Sequence, residues 1–164
     1  MNKAFVREPD IALPEPVPEL PLPPPPNPVT EAGHRGILAA IEAIDRRLAG
    51  QAGLVEGCEL DRLQRERRYW VARLATARVT LPPSDPDEIG FGSEVTLGWP
   101  GRGSVTLRIV GEDEAAPAQG LIAWRAPVAA ALIGNGTGDS VPVTLAGGEV
   151  RLAVQAVKNQ PAKG

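Results

Sequence analysis

The stretch Thr30-Glu-Ala-Gly-His-Arg-Gly-Ile-Leu-Ala-Ala-Ile-Glu-Ala-Ile-Asp-Arg-Arg-Leu-Ala-Gly50 decides how the first half of the chain folds. Ile37, Ile41, Ile44 and Leu48 recur at alternating spacings of four and three, which is a heptad seam along one helix face. Thr30 stands where an N-cap belongs. His34 lies in phase ahead of the seam and reads as a partly buried packing residue. The expected helix has about 19 residues and a length of about 28 Å. Gly50, Gly53 and Gly57 interrupt the pattern, and a second run then carries Leu60, Leu63, Trp70, Leu74 and Ala77 in the same alternation. Arg67 is the polar member of that run, its stem lying along the seam and its head in water. Two such stripes joined by a Gly-containing turn bury each other as an antiparallel helical hairpin over residues 29–80. Pro82-Pro83 closes the second helix.

Beyond the hairpin the pattern changes. Residues 85–158 read as short strands at 93–97, 104–110, 121–125, 140–145 and 149–157. In the last of these Val150, Leu152, Val154 and Ala156 alternate with Arg151, Ala153 and Gln155, which gives a sheet with one face on a core. Gly147-Gly148 is a hairpin turn signal. Pro127 and Gly134 bracket a two-turn helix. The fold class is therefore α+β: an N-terminal hairpin, then a small antiparallel sheet with one short helix laid on it.

Before the hairpin the composition is abnormal. The chain has 164 residues with 18 Gly and 18 Pro, and ten of the prolines fall in residues 1–28. Proline fixes φ and lacks the amide donor, so residues 1–28 are expected to be a disordered, extended leader of polyproline II character. It reads as a semi-rigid spacer or as a ligand for an aromatic groove. Residues 2–8 could form a short docking peptide, for which the residues suggest no mechanism. Residues 159–164 read as a tail.

Several function classes are excluded. A single cysteine, Cys58, leaves no disulfide framework and no cysteine zinc site, and a single histidine, His34, speaks against a histidine metal site or a Ser/His/Asp triad. No apolar run approaches the roughly 20 residues that span a bilayer. The first ten residues lack the apolar segment of a secretory signal, so the cytoplasm is the expected compartment. Net charge is −3, which does not suggest a nucleic-acid binder overall. Residues 29–79 are nevertheless locally basic, with nine bases against seven acids.

A set of blocks in the second half resembles a known family. They are Phe91-Gly-Ser-Glu-Val-Thr96, Arg108-Ile-Val-Gly-Glu-Asp-Glu-Ala115, Gly120-Leu-Ile, Ala126-Pro-Val-Ala-Ala-Ala-Leu-Ile-Gly134, Gly138-Asp-Ser-Val and Gly147-Gly-Glu-Val. Their order and spacing are similar to the C-terminal domain of the Gre transcription elongation factors (GreA/GreB). Val29-Thr-Glu-Ala-Gly33 and Ala77-Arg-Val-Thr with Pro82-Pro83 resemble the entry and exit of the Gre coiled coil. The run Arg65-Glu-Arg-Arg-Tyr-Trp-Val-Ala-Arg-Leu74 is more similar to GreB. The resemblance implies an FKBP-like C-terminal domain docked on the β′ subunit of bacterial RNA polymerase at the secondary channel. It also implies a coiled coil entering that channel, where acidic residues at its tip help to hold a catalytic Mg²⁺ of the polymerase during transcript cleavage.

The departures from the family narrow that expectation. The family's Asp-x-x-Glu-Asn tip is absent, and Glu56, Glu59 and Asp61 are the candidates for a residual acidic tip. The plainer role for these acids is to complement the dipole of the second helix. The resemblance implies arms longer by roughly ten residues, a shortfall here of about 15 Å. A carboxylate must come within about 2 Å of Mg²⁺ to coordinate it, so transcript cleavage is expected to be lost. Ala123, Arg125 and Pro127 are the expected polymerase-binding positions. There the family's Ser is replaced by Ala126, and an acid common in GreB-like members by Arg125; basic residues are replaced by Ala130 and Asn135. Arg62, Arg65, Arg68 and Arg73 are candidates for facing nucleic acid, or else form a solvated helix face. Tyr69 and Trp70 read as core rather than as base-stacking groups, although Trp70 fits the seam and Tyr69 does not; Trp99 and Trp124 read as either core or exposed anchors, and Cys58 as incidental.

The expected protein is a polymerase-binding elongation regulator at the secondary channel. It is not an enzyme, and it has no catalytic residue, metal or cofactor. Its partners are the β′ subunit and, within that complex, transcript RNA; it has no membrane partner and is a monomer. The alternatives are a regulator similar to the Rnk proteins, which regulate nucleoside diphosphate kinase, an FKBP-like prolyl isomerase, and an adaptor acting through the proline leader. Only Phe91, Trp99 and Trp124 could line an isomerase pocket, and fold analogy alone carries little function.

Overall fold

The computed structural model describes residues 18–50 and 57–160. Residues 2–8, Gly53 and Glu56 therefore lie outside the described residues, as do most of the leader and the last four positions.

Helix α1 spans Glu31–Gly50 and α2 spans Gly57–Thr76. Thr30 caps α1 as its sequence position predicts, its Oγ1 accepting the Gly33 amide at 3.0 Å. Ile37, Ile44 and Leu63 are buried in the hairpin seam, while Ile41, Leu48, Trp70, Leu74 and His34 are half-buried. Leu60 remains exposed. Arg67 donates to Asp45 across the seam at 2.6 Å and 3.4 Å, and this contact holds the Asp45 carboxyl below its usual range. Arg47 and Glu59 make a second cross-hairpin pair at 2.6 Å, nearer the turn.

Two sequence expectations fail at the base of the hairpin. Ala77 was expected on the helical seam but begins strand β2, Ala77–Val79. Residues 27 and 28 were expected in the leader but begin strand β1, Asn27–Val29, which pairs in parallel with β2. Asn27 supplies the reason. Its side-chain amide donates to the Arg73 carbonyl at 3.0 Å and to Thr76 Oγ1 at 3.2 Å, which satisfies the end of α2 and stops it. Asn27 and Val29 are each 2% exposed, so these positions are core and not tail.

The remaining strands are β3 Glu94–Trp99, β4 Gly103–Val110, β5 Leu121–Ala123, β6 Ser140–Leu145 and β7 Gly148–Lys158. They form one sheet in the order β5-β4-β3-β7-β6. Period-2 burial runs through it, with Val95, Leu97, Leu107, Ile109, Leu152 and Val154 facing one core. Helix α3, Pro127–Leu132, lays Ala129 and Leu132 on that core. The sheet departs from the all-antiparallel expectation in one place, because β5 runs parallel to β4. The crossover between them contains two 3₁₀ turns, Glu112–Glu114 and Pro117–Gln119. It closes at Gly120 (φ 75°), where a Cβ would meet the Thr106 carbonyl at 2.9 Å. β5 ends at Ala123, short of the expected residue 125, because the Ala126 amide turns back to the Ala123 carbonyl at 2.8 Å and starts α3. Trp99 and Trp124 both pack partly on the core, each with an arginine over its ring: Arg102 at 5.1 Å and Arg125 at 4.7 Å.

Candidate functional site: the α2 face and the acidic turn

The acidic turn Glu112–Glu114 projects from the end of β4 onto the hairpin base, where Glu112 and Asp113 share Arg73 and Glu114 meets the start of α1. Glu114 reaches the start of α1, where its carboxylate accepts the Thr30 amide and the Gly111 amide, both at 3.1 Å, and the Thr30 hydroxyl. A carboxylate there also complements the positive end of the helix. Gly33 makes room for it, since a Cβ at residue 33 would stand 2.2 Å from the Glu114 carboxyl carbon. Asp113 accepts from Arg73 Nε at 2.6 Å and from the Tyr69 hydroxyl at 2.5 Å. Burial, then the Asp113 hydrogen bond, pushes the Tyr69 phenol up to about 12. Glu112 lies 3.5 Å from Arg73 and 3.6 Å from Arg125 as an ion-pair partner of both. The turn thus fixes the sheet domain to both helices.

This corrects the expectation for Arg73. Its side chain is 2% exposed and is held by Asp113, Glu112 and the Asn27 side-chain oxygen, the last at 2.6 Å. It cannot face nucleic acid. The other arginines of α2 lie outward but are not bare. Arg62 pairs with Glu59 at 3.2 Å and with Glu66 at 3.7 Å. Arg65 donates to the Pro18 carbonyl at 3.2 Å. Arg68 takes a fork onto Glu19 at 2.6 Å and 3.1 Å, which holds the Glu19 carboxyl below its usual range. From Glu19 the leader continues to Leu22 and Pro23, which line one cavity together with Ala72, Arg73 and Thr76.

The three expected polymerase-binding positions fall together where β5 enters α3. Ala123 is half-buried at the end of β5, and Pro127 is exposed at the first position of α3. Arg125 donates to the carbonyls of Pro24 at 2.9 Å and Pro26 at 3.3 Å. Ala126 leaves α3 without a side-chain cap. Asn135 instead serves the other end of that helix, donating to the carbonyls of Ala131 at 2.9 Å and Leu132 at 3.2 Å.

Of the acidic tip candidates, Glu59 accepts from both Arg47 and Arg62, and Asp61 lies exposed two residues further along α2. Among the described residues no group of three His, Cys, Asp or Glu side chains could hold a metal ion. Sequence reasoning missed Asn27, Tyr69 and the separate partners of Glu112, Asp113 and Glu114. The one available signal was an arginine just off the seam, facing an acidic block of matching size.

The family described as transcription elongation factor GreA/GreB, C-terminal, matches residues 83–159. The transcription elongation factor GreA of Anaeromyxobacter sp. is 41% identical over 90 residues, covering 54% of this chain and 53% of that protein. The match to that relative thus spans about half its length. The GreA of Nitratiruptor sp. is 31% identical over 156 residues, covering 84% of this chain and 96% of that protein. Among solved structures, GreA factor homolog 1 of Thermus thermophilus aligns with 81% of this chain and 99% of its own, at 22% identity and a TM-score of 0.39. With 96% of the Nitratiruptor GreA matched at 31% identity, the chain belongs to the GreA/GreB family of transcription elongation factors.

Proposed function

We propose that this protein binds bacterial RNA polymerase at the entrance of the secondary channel and regulates elongation there without stimulating transcript cleavage. Family membership supports the polymerase as partner. The β′ subunit is its contact, met through the end of β5 and the start of α3 at Ala123, Arg125 and Pro127. The protein is not itself an enzyme, and it works in the cytoplasm with the polymerase; no described helix is long and apolar enough to cross a membrane.

The absence of cleavage rests chiefly on the hairpin. Each arm has 20 residues, about 30 Å of helix. Near its turn the Glu59 carboxylate is engaged by two arginines instead of being free for a metal. A hairpin fixed to the sheet domain by the acidic turn would occupy the channel mouth and compete with cleavage-competent factors.

A pull-down with purified core polymerase tests the first half, and failure to associate at low and moderate salt removes it. A cleavage assay on backtracked complexes tests the second. Strong stimulation of cleavage by this chain would show that the hairpin reaches the active site.

A further inference from the structure

Three of the residues offered for polymerase and transcript contact, Arg65, Arg68 and Arg125, are already held by the leader. Residues 18–26 run without helix or strand along one face of α2 and on to the sheet domain. On α2 they bond to Arg65 and Arg68 and line one cavity with Ala72 and Thr76, all four spaced three or four apart and so on one face. At the far end two leader carbonyls take the Arg125 guanidinium, about 100 residues away in sequence. The leader offers these arginines a carboxylate and carbonyl oxygens, the same acceptors an acidic protein surface would offer.

The contact is built to release. The Glu19–Arg68 pair is 62% and 56% exposed, and Leu22 is 53% exposed. Exposed pairs of this kind are weak and are screened by salt. A run of four prolines, Pro23 to Pro26, is stiff before it docks, so little chain entropy is lost on seating it. A weak but pre-organised segment seats and unseats readily.

We infer that residues 18–26 are an autoinhibitory strap, which occupies Arg125 and the Arg65/Arg68 face in cis and must leave before polymerase can use the first and its transcript the second. This rests on the polymerase-binding reading above. If the strap is seated about 80% of the time, only about a fifth of molecules are competent, and its release tightens apparent binding about fivefold.

The test uses the full chain and immobilised core polymerase. Glu19→Ala with Leu22→Ala removes the carboxylate held by Arg68 and the side chain beside the Ala72 cavity, both at exposed positions, so the fold is retained, as circular dichroism would verify. In a Cys58→Ser background, Leu22→Cys with Ala72→Cys bridged by a short bismaleimide locks the strap down. The expected result is about fivefold tighter binding for the released chain, and at least fivefold weaker binding for the bridged chain than for its unbridged form. Equal or weaker binding by the released chain, or no effect of the bridge, overturns the strap while leaving polymerase binding intact. If neither the parent nor the released chain binds polymerase, the polymerase reading fails and the strap's role in it fails too.

Discussion

Arg73 and Asp113 are 40 residues apart in the chain and 2.6 Å apart in the fold, with the arginine side chain only 2% exposed. Truncating one member of a buried pair strands the other charge, at a cost of about 3–5 kcal/mol. Asp113→Ala should therefore destabilise the protein by about 3 kcal/mol or more in urea unfolding. Replacing both partners, Arg73→Met with Asp113→Leu, should cost less than the sum of the single changes. Simple additivity would mean that the two side chains do not act as a unit.

Two glycines on α1 should respond in opposite directions. Alanine is the better helix former by up to about 1 kcal/mol. At Gly36 no heavy atom lies within 4 Å of a new Cβ, so Gly36→Ala should raise the melting temperature by a few degrees. At Gly33 the new methyl would displace Glu114 from its bonds to Thr30 and Gly111, and Gly33→Ala should lose about 1–3 kcal/mol. A gain at both sites would show that Glu114 swings aside freely.

Tyr69 makes stability depend on alkaline pH. Its folded pKa is raised from 10.0 to about 12, so the folded state holds the phenolic proton more tightly than the unfolded state does. That contribution is complete below pH 10 and is lost as pH rises toward 12. Thermal melts across this window should show a steeper fall for the parent than for Tyr69→Phe. Parallel curves would count against the Asp113 contact.

Helix α3 lacks a side-chain cap at Ala126, whose backbone (φ −60°, ψ 145°) already suits one. Ala126→Ser should add about 0.5–1 kcal/mol in chemical denaturation. No gain would indicate that the hydroxyl is drawn elsewhere.

The sequence carried the local structure well. The heptad spacing of Ile37, Ile41, Ile44 and Leu48, the Thr30 cap and the alternation in β7 are short-range signals, and the structure follows them. Contacts between distant segments were not legible in the same way. The parallel pair β1–β2 depends on Asn27 finding the end of α2, 46 residues later. The burial of Arg73 depends on the acidic turn arriving from beyond β4, since an arginine on a helix looks the same in sequence whether or not an acid awaits it. Proline content suggested that the leader lacks helix and strand, which holds for 18–26, but composition cannot show that an extended segment lies against its own chain.

The β1–β2 pairing has a mechanical consequence. It joins the chain entering α1 to the chain leaving α2, with the Thr80 amide on the Val29 carbonyl at 2.9 Å as a further rung. The two arms are thus welded at their root like the tines of a tuning fork. A push on the turn end cannot splay them apart there, and it arrives at the root as torque on a single stiff lever. The acidic turn is the bearing that takes this load. Resistance met by the hairpin in a channel would therefore be passed to the sheet domain at Glu112, Asp113 and Glu114.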